Sequence, residues 1–161
     1  MDSEFSIRPA VSADAPEIAR LIRELAEYEK LAHMAVGTGD MVALQLFGAR
    51  PAAEAFMAER GGRAVGFALF FTTFSTFLCK PGLYLEDLFV EPTHRGHGIG
   101  KALLARLAAL AVERGCGRLE WRVLDWNTPS IRFYESLGAK LMPEWELVRM
   151  TAPEFAALAS R

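Results

Sequence analysis

The apolar residues of the chain recur at two different periods, and each period predicts one type of element. Spacings of three and four residues predict two long helices, from Pro16 to about Lys30 and from the residues after Gly98 to Gly115. The same spacing predicts shorter helices over 38–47, 127–138 and 153–160. Alternating or continuous apolar runs predict strands over 5–11, 83–90, 118–124 and 145–150, and a hairpin within 52–74.

The predicted elements follow one another as β-α-α-β-β-β-α-β-α-β, with a helix at the end. The early strands and the hairpin, which turns at Gly61 and Gly62, favour antiparallel pairing. The later strand–helix–strand connections favour parallel neighbours. We therefore expect an α+β fold with a central mixed, mostly antiparallel sheet flanked by helices. The length of 161 residues fits a single domain over 1–161.

Charge and composition exclude some classes of partner. A formal net charge of -2 does not indicate general affinity for nucleic acid or for an anionic membrane. The longest apolar run, from Ala64 to Phe71, is too short to span a bilayer, and the N-terminus lacks a signal-peptide core. We expect a cytoplasmic protein whose Cys79 and Cys116 are reduced thiols in or near the core. Their spacing gives no metal site.

A glycine-rich segment lies where a predicted strand passes into a predicted helix. Three glycines alternate between Arg95 and Lys101, and we call residues 95–101 the glycine loop. Bare backbone at a helix N-terminus lets N–H groups converge on an anion such as a phosphate. The segment is not a P-loop, since Ala102 follows Lys101, and it lacks the third glycine of the dinucleotide fingerprint. Taken alone, it is also compatible with a tight turn that binds nothing.

Residues 95–100, RGHGIG, match the pyrophosphate-binding signature of the GNAT N-acetyltransferases, Q/R-x-x-G-x-G/A. The stretches YLEDLFV, RGHGIGKALL and DWNTPSIRFYESLGA resemble the branch that contains the diamine (spermidine/spermine) and thialysine acetyltransferases. The segment IRPA and the later EIARLIRELAEYE resemble the same branch. The resemblance covers most of the chain and is weaker from about Leu31 to Glu59. It implies a GNAT-type fold, acetyl-CoA as co-substrate and, as is common in this branch, a homodimer.

The resemblance also implies which residues hold the cofactor. The strand before the glycine loop would pair its open backbone groups with the pantetheine arm, at Leu88, Phe89 and Val90. The pyrophosphate would lie on the glycine loop, which consists of Arg95, Gly96, His97, Gly98, Ile99, Gly100 and Lys101. A later helix that flanks the cofactor would begin with Asn127, Pro129 and Ser130. Without the resemblance, Asn127 is a helix cap and Pro129 a first-turn residue.

Amine acetylation requires groups that move protons. An alkylamine with a pKa of about 10.4 must lose a proton before it attacks, and the departing CoA thiolate must gain one. By resemblance, Glu86 would be the base, acting through a water, and Tyr134 would protonate the thiolate beside the cofactor. Asp87 would help to place the amine. Neighbouring strand residues face opposite sides unless a bulge intervenes. Solvated carboxylates and a core tyrosine are the alternatives.

The resemblance places substrate contacts at two further positions: Tyr28 with Glu29, and the stretch Glu120, Trp121 and Arg122. It implies a small cationic acceptor, namely a diamine, a polyamine, thialysine or a related amino acid. Polyamine-acetylating members carry an acidic residue and a tryptophan where this chain has Ser75, Thr76, Phe77 and Leu78, which weakens the case for a long polycation. A peptide or protein N-acetyltransferase and a non-catalytic CoA-binding regulatory module are the alternative functions.

Overall fold

The structure is a computed structural model that describes residues 4–161. Its strands are β1 Phe5–Pro9, β2 Glu54–Arg60, β3 Arg63–Ser75, β4 Lys80–Val90 and β5 Arg118–Trp121. Its α-helices are α1 Ala15–Tyr28, α2 Gly39–Phe47, α3 Ile99–Glu113, α4 Thr128–Ser136 and α5 Ala152–Ala159. The chain divides into two compact units, Met1–Arg122 and Val123–Arg161, which are described separately. The single domain over 1–161 stays a prediction.

All five strands of the described residues form one sheet in the order β1-β2-β3-β4-β5. The first four pair antiparallel with their neighbours, and β5 pairs parallel with β4 after the crossover through α3. A parallel neighbour requires such a crossover, because a tight turn can only reverse the chain. The mixed, mostly antiparallel sheet is therefore confirmed.

Each face of the sheet is covered by a different helix. On one face, fully buried Ile18 and Leu21 of α1 pack in a cluster with Phe67, Leu69 and Phe89 of the sheet. We call this side the α1 face. On the other face, Arg106 of α3 lies over Phe56, the neighbour of clustered Met57. Successive strand residues point to opposite sides, which explains how β2 and β3 serve both helices.

A β-bulge interrupts the pairing of β3 with β4. Leu69 is opposite Asp87, but the next residue, Phe70, is opposite Leu85, so Glu86 is an extra residue on β4. Phe71 is then opposite Tyr84. Leu69 and Phe71 are two positions apart on β3 and share a face, so their partners Asp87 and Tyr84 also share it. The bulge thus places Asp87 and Tyr84 on the α1 face, although they are three residues apart.

The C-terminal end of β4 is attached to α1 by a buried carboxylate. Glu91, only 5% exposed, accepts hydrogen bonds from Arg20 of α1 at 2.6 Å and from Arg63 of β3 at 2.7 and 2.9 Å. Arg20 also bonds Glu17, Glu24 and the carbonyl of Ala64. A buried charge is tolerated when it is paired in this way. The network fixes the position from which the glycine loop starts.

The second unit contains α4, α5 and a stretch without regular structure between them. Asn127 caps α4 by accepting a hydrogen bond from the Ser130 N–H at 3.4 Å, as its residue type predicts. The predicted strand over 145–150 is wrong, since the structure gives it no strand, and Trp145 and Val148 are 74% and 87% exposed. Alternation of apolar residues indicates a strand only where a neighbouring strand completes the hydrogen bonds.

Two smaller predictions also differ from the structure. Residues 122–124 do not continue β5, which ends at Trp121. Cys79 is exposed in the turn between β3 and β4, with a φ of 51°, so its predicted burial is wrong. Cys116 is partly buried, and both thiols are free. Among residues 4–161, no helix has the length and apolar character that a membrane crossing demands.

Candidate active site

The glycine loop joins β4 to α3 with two residues in the left-handed region. Gly96 has a φ of 79° and Gly98, the residue that caps α3, has a φ of 81°. Side chains disfavour this region because Cβ approaches the carbonyl oxygen. The first helical hydrogen bond runs from the Ala102 N–H to the Gly98 carbonyl at 2.9 Å. The N–H groups of the preceding residues, from Ile99 to Lys101, therefore stand at the helix N-terminus, which favours an anion.

Side chains of the loop attach it to its surroundings. Nδ1 of His97 donates to the Arg95 carbonyl at 2.9 Å. Arg95 Nε donates to the Val90 carbonyl at 2.9 Å, and its Cζ lies 4.5 Å from the ring centroid of Tyr28 and 5.5 Å from that of Phe89. One arginine thus links the glycine loop, β4 and the last residue of α1, while Lys101 is exposed.

β4 has an unoccupied edge beside the loop. β5 pairs with β4 only over Gly82–Leu85, so from Glu86 onward β4 has β3 on one side and no strand on the other among the described residues. Glu91 donates its N–H to the Val65 carbonyl of β3. Because backbone groups alternate between the two edges of a strand, Leu88 and Val90 direct theirs to the open side and Phe89 directs its own to β3. This edge can pair with an extended ligand.

Three carboxylates are gathered where α1 ends over β4. Asp87 is half-buried, and its desolvation, followed by repulsion from Glu86 and then from Glu29, raises the pKa of Asp87 to about 7. Burial also raises the pKa of Glu29, which follows the last residue of α1. Glu86 is exposed. A carboxyl that titrates near neutral pH can exchange a proton with a bound amine.

The same face of the sheet continues toward β5 with an aromatic pair. Phe71 and Tyr84 stack with their ring centroids 5.1 Å apart. Glu120 of β5 is opposite Tyr84 in the sheet, and the Cζ of Arg122 lies 5.5 Å from the Tyr84 ring centroid. Trp121 is opposite Leu85, on the other face. Asp87, Tyr84, Glu120 and Arg122 therefore follow one another along the open part of the α1 face.

The structure unites most of the predicted site residues within Met1–Arg122. Leu88 and Val90 lie on the open edge, and residues 95–101 form the loop. Tyr28, Glu29, Glu86, Asp87, Glu120 and Arg122 surround the α1 face. Two predicted residues are placed elsewhere, since Phe89 directs its backbone groups to β3 and Trp121 lies on the other face. Asn127, Pro129, Ser130 and Tyr134 belong to the second unit, where they lie on the first turns of α4 or cap it. There, Tyr134 packs beside Phe133, with ring centroids 5.4 Å apart. The roles predicted for individual residues stay predictions.

Sequence reasoning did not select Tyr84 and Phe71 as site residues. Both were assigned to apolar runs, in which an aromatic residue usually belongs to the core. The signal that could have identified Tyr84 is the sequence Tyr84-Leu85-Glu86-Asp87, in which one polar-tipped ring precedes two acids. The link between Arg95 and Tyr28 was also missed, because 67 positions along the chain separate them and no local pattern joins them.

Comparison with known proteins agrees with the fold and shows the family. The chain superimposes on an integron cassette protein from the mobile metagenome of V. cholerae with a TM-score of 0.83 and 27% identity over 98% of each chain. Residues 19–139 match the model of the acetyltransferase (GNAT) family. The chain therefore belongs to the GNAT family and is an N-acetyltransferase by its membership and its relatives.

Two relatives match over nearly the whole chain. The L-ornithine N5-acetyltransferase NATA1 of Arabidopsis thaliana is 33% identical, and the match covers 94% of this chain and 86% of that protein. The thialysine N-epsilon-acetyltransferase of Bos taurus is 35% identical, and the match covers 96% and 97% of the two chains. The predicted resemblance to the branch with thialysine acetyltransferases is therefore confirmed.

The left-handed conformation of Gly98 allows a controlled test of the loop. A Cβ at Gly98 meets no protein atom within 4 Å, and the same is true of Gly61, whose φ is 60°. Alanine at either position is expected to lower the free energy of unfolding by about 1–2 kcal/mol through backbone strain. Only Gly98→Ala is expected to weaken CoA binding, by about tenfold or more, because its methyl group intrudes on the anion position. Calorimetric titration with CoA measures the difference, and equal affinities in the two variants would contradict a phosphate-binding loop.

Proposed function

We propose that the protein transfers the acetyl group of acetyl-CoA to a primary amine of a small cationic substrate, by direct attack in a ternary complex. The observation that carries this proposal is the position of an acidic cluster beside an open strand edge that leads into the glycine loop. The edge and the loop suit an extended pantetheine arm with its pyrophosphate. The acids suit an ammonium group at the other end of the same edge.

The donor would bind mainly through backbone groups. Leu88 and Val90 direct backbone groups to the open side of β4. A pantetheine amide would form hydrogen bonds there of the kind that a neighbouring strand forms elsewhere in the sheet. The N–H groups from Ile99 to Lys101 would hold the pyrophosphate, with the exposed Lys101 adding a full charge. The N–H of Leu88 would polarise the acetyl oxygen as negative charge develops on it. We infer from the resemblance, not from geometry, that Asn127, Pro129 and Ser130 flank the cofactor.

The acceptor would bind by its charge. Glu29, Glu86 and Asp87 attract an ammonium ion, and the ring of Tyr28 lies at the end of the same helix. The two relatives described above are named for ornithine and thialysine, which are small amines. We accordingly favour a diamine, thialysine or a related amino acid. A long polyamine is less favoured, since Ser75, Thr76 and Phe77 offer no acid for a further ammonium group.

Transfer requires two proton movements. The ammonium group loses a proton to a carboxylate, and its nitrogen attacks the thioester carbon while the C–S bond breaks. The thiolate then takes a proton, which we assign by resemblance to the hydroxyl of Tyr134. The sequence resemblance makes Glu86 the base, acting through a water. The raised pKa of Asp87, to about 7, supports Asp87 as the group that holds the proton near neutral pH.

We also propose that the protein is a homodimer, as the resemblance predicts, and that it is cytoplasmic, as its composition predicts. The second unit exposes Trp145, Val148 and Phe155, which a partner copy would cover. Burial of such side chains is the usual source of stability in homodimer interfaces.

A panel of acceptors tests the function directly. Release of CoA thiol from acetyl-CoA would be followed with diamines, polyamines, basic amino acids and peptides. We expect release with small cationic molecules that carry a primary amine at the end of a short chain. Release with peptides alone would favour a protein N-acetyltransferase, and tight CoA binding without release from any acceptor would favour a regulatory module.

The pH dependence of kcat/KM separates the two carboxylates. A base must be ionised to accept a proton, so kcat/KM is expected to rise with pH through about 7, the pKa of Asp87. Asp87→Asn should abolish this limb of the profile. Glu86→Gln should retain the limb and shift it to lower pH, because loss of the negative charge at position 86 lowers the pKa of Asp87. The opposite pattern, with the limb lost only in Glu86→Gln, would return the role of base to Glu86.

Tyr134→Phe tests the assignment of the acid. Loss of the hydroxyl should lower kcat by about a hundredfold, within the usual range for general acid catalysis, and leave CoA affinity nearly unchanged. The matched control is Phe133→Leu, which changes the neighbouring ring on the same helix without removing a hydroxyl. An unchanged kcat in Tyr134→Phe would remove it as the acid.

A further inference from the structure

We infer that Tyr84, Glu120 and Arg122 form a subsite for the head group of an α-amino acid, in which Arg122 binds the carboxylate and Glu120 binds the α-ammonium group. This inference rests on the proposed function and specifies its acceptor as an amino acid with a terminal amine. The three residues lie together on the α1 face, beyond the acidic cluster. None of them belongs to the donor site.

Arg122 is held in a way that leaves its donors available. Its guanidinium lies over the Tyr84 ring, with Cζ 5.5 Å from the ring centroid, and the side chain is exposed. Tyr84 is itself fixed by stacking on Phe71. A cation–π contact uses none of the guanidinium N–H groups as hydrogen-bond donors, so a carboxylate can still bind them by two parallel hydrogen bonds. The guanidinium of Arg20, by contrast, donates hydrogen bonds to three carboxylates and a carbonyl.

Glu120 supplies the opposite charge beside the same ring. It is directly opposite Tyr84 in the parallel pairing of β4 with β5, and its side chain is 51% exposed. It forms an ion pair with Arg118 at a nitrogen–oxygen distance of 4.0 Å, which is too long for a hydrogen bond. One cation and one anion beside one ring match the charges of an amino-acid zwitterion.

The spacing directs the rest of such a substrate to the acidic cluster. Tyr84 and Asp87 are opposite Phe71 and Leu69, which are two positions apart on β3, so they are separated by about 7 Å along the sheet. A head group at Tyr84 therefore places a terminal amine on a short carbon chain near Asp87 and Glu86. A simple diamine has no carboxylate to pair with Arg122, so it would leave that charge unpaired and bind less tightly than an amino acid.

Three acceptors with the same terminal amine test the subsite. Ornithine carries both head-group charges, 5-aminopentanoate lacks the α-ammonium group, and putrescine lacks the carboxylate. We expect kcat/KM to fall by about ten- to a hundredfold from ornithine to putrescine, as the loss of hydrogen bonds to a charged group predicts. The difference should lie in KM, since the head group is held equally before and during the reaction.

Each of two substitutions should abolish the preference for ornithine over one of the other two acceptors. Arg122→Gln is expected to bring the kcat/KM values of ornithine and putrescine within about threefold, whereas Glu120→Gln should do so for ornithine and 5-aminopentanoate. Arg122→Lys should restore part of the preference by its charge. The matched control is Arg106→Gln, since Arg106 also lies over a ring, that of Phe56, but on the opposite face. Both site residues are exposed, so thermal unfolding should be unchanged.

Equal kcat/KM values for ornithine and putrescine in the unmodified protein would overturn the subsite. An unchanged ratio in Arg122→Gln would overturn it as well, and either result would leave the proposed function intact if CoA thiol is released. The absence of release with all three acceptors and with the wider amine panel would overturn the proposed function, and the subsite with it.

Discussion

β4 carries one residue more than the strand opposite it, and the arrangement of the candidate site depends on that residue. In a regular strand that paired Glu86 as well, Asp87 would lie on the same face as Leu85, among the residues that α3 covers. Because Glu86 is bulged out of the ladder, Asp87 instead lies on the α1 face, where the end of α1 brings Glu29 toward it. A bulge of this kind bends the strand and re-aims side chains at the cost of ladder hydrogen bonds. β5 ends opposite Leu85, one residue before the bulge, so the irregular part of β4 is also its unpaired part.

The position of Asp87 has a thermodynamic consequence for the whole protein. Its folded pKa of about 7 lies above its ordinary value of 3.8, so the folded state binds a proton more tightly than the unfolded chain does. The contribution of Asp87 to stability is therefore greatest below about pH 4 and falls as the pH rises to about 7. The loss amounts to about 4 kcal/mol at 1.36 kcal/mol per pKa unit. Carboxyl groups whose pKa is shifted at the expense of stability are concentrated at functional sites of proteins.

The fold and the loop were predictable because their signals are local. Helical spacing in α1, the Gly61–Gly62 turn and the glycines of the loop each need only a few neighbouring residues, and the structure confirms the elements they predict. The bulge was not predictable, since one strand cannot reveal how its neighbour pairs with it. The stacking of Arg95 on Tyr28 likewise depends on how α1 packs on the sheet. The strand predicted over 145–150 failed for a related reason: its apolar residues alternate, but the structure gives the segment no partner strand.

The arginines of the protein illustrate how one side chain serves two purposes. Arg20 and Arg63 bind Glu91 with their donors and fix the start of the glycine loop, so their charge is neutralised inside the structure. Arg95 and Arg122 instead lie over the rings of Tyr28 and Tyr84, with Cζ 4.5 Å and 5.5 Å from the ring centroids. An aromatic ring holds a guanidinium by its face without consuming its charge, which remains available to an anion. The first kind stabilises the fold, and the second leaves positive charge on either side of the acidic cluster of Glu29, Glu86 and Asp87. Under the proposals above, these two charges would bind the phosphates of the cofactor and the carboxylate of the substrate.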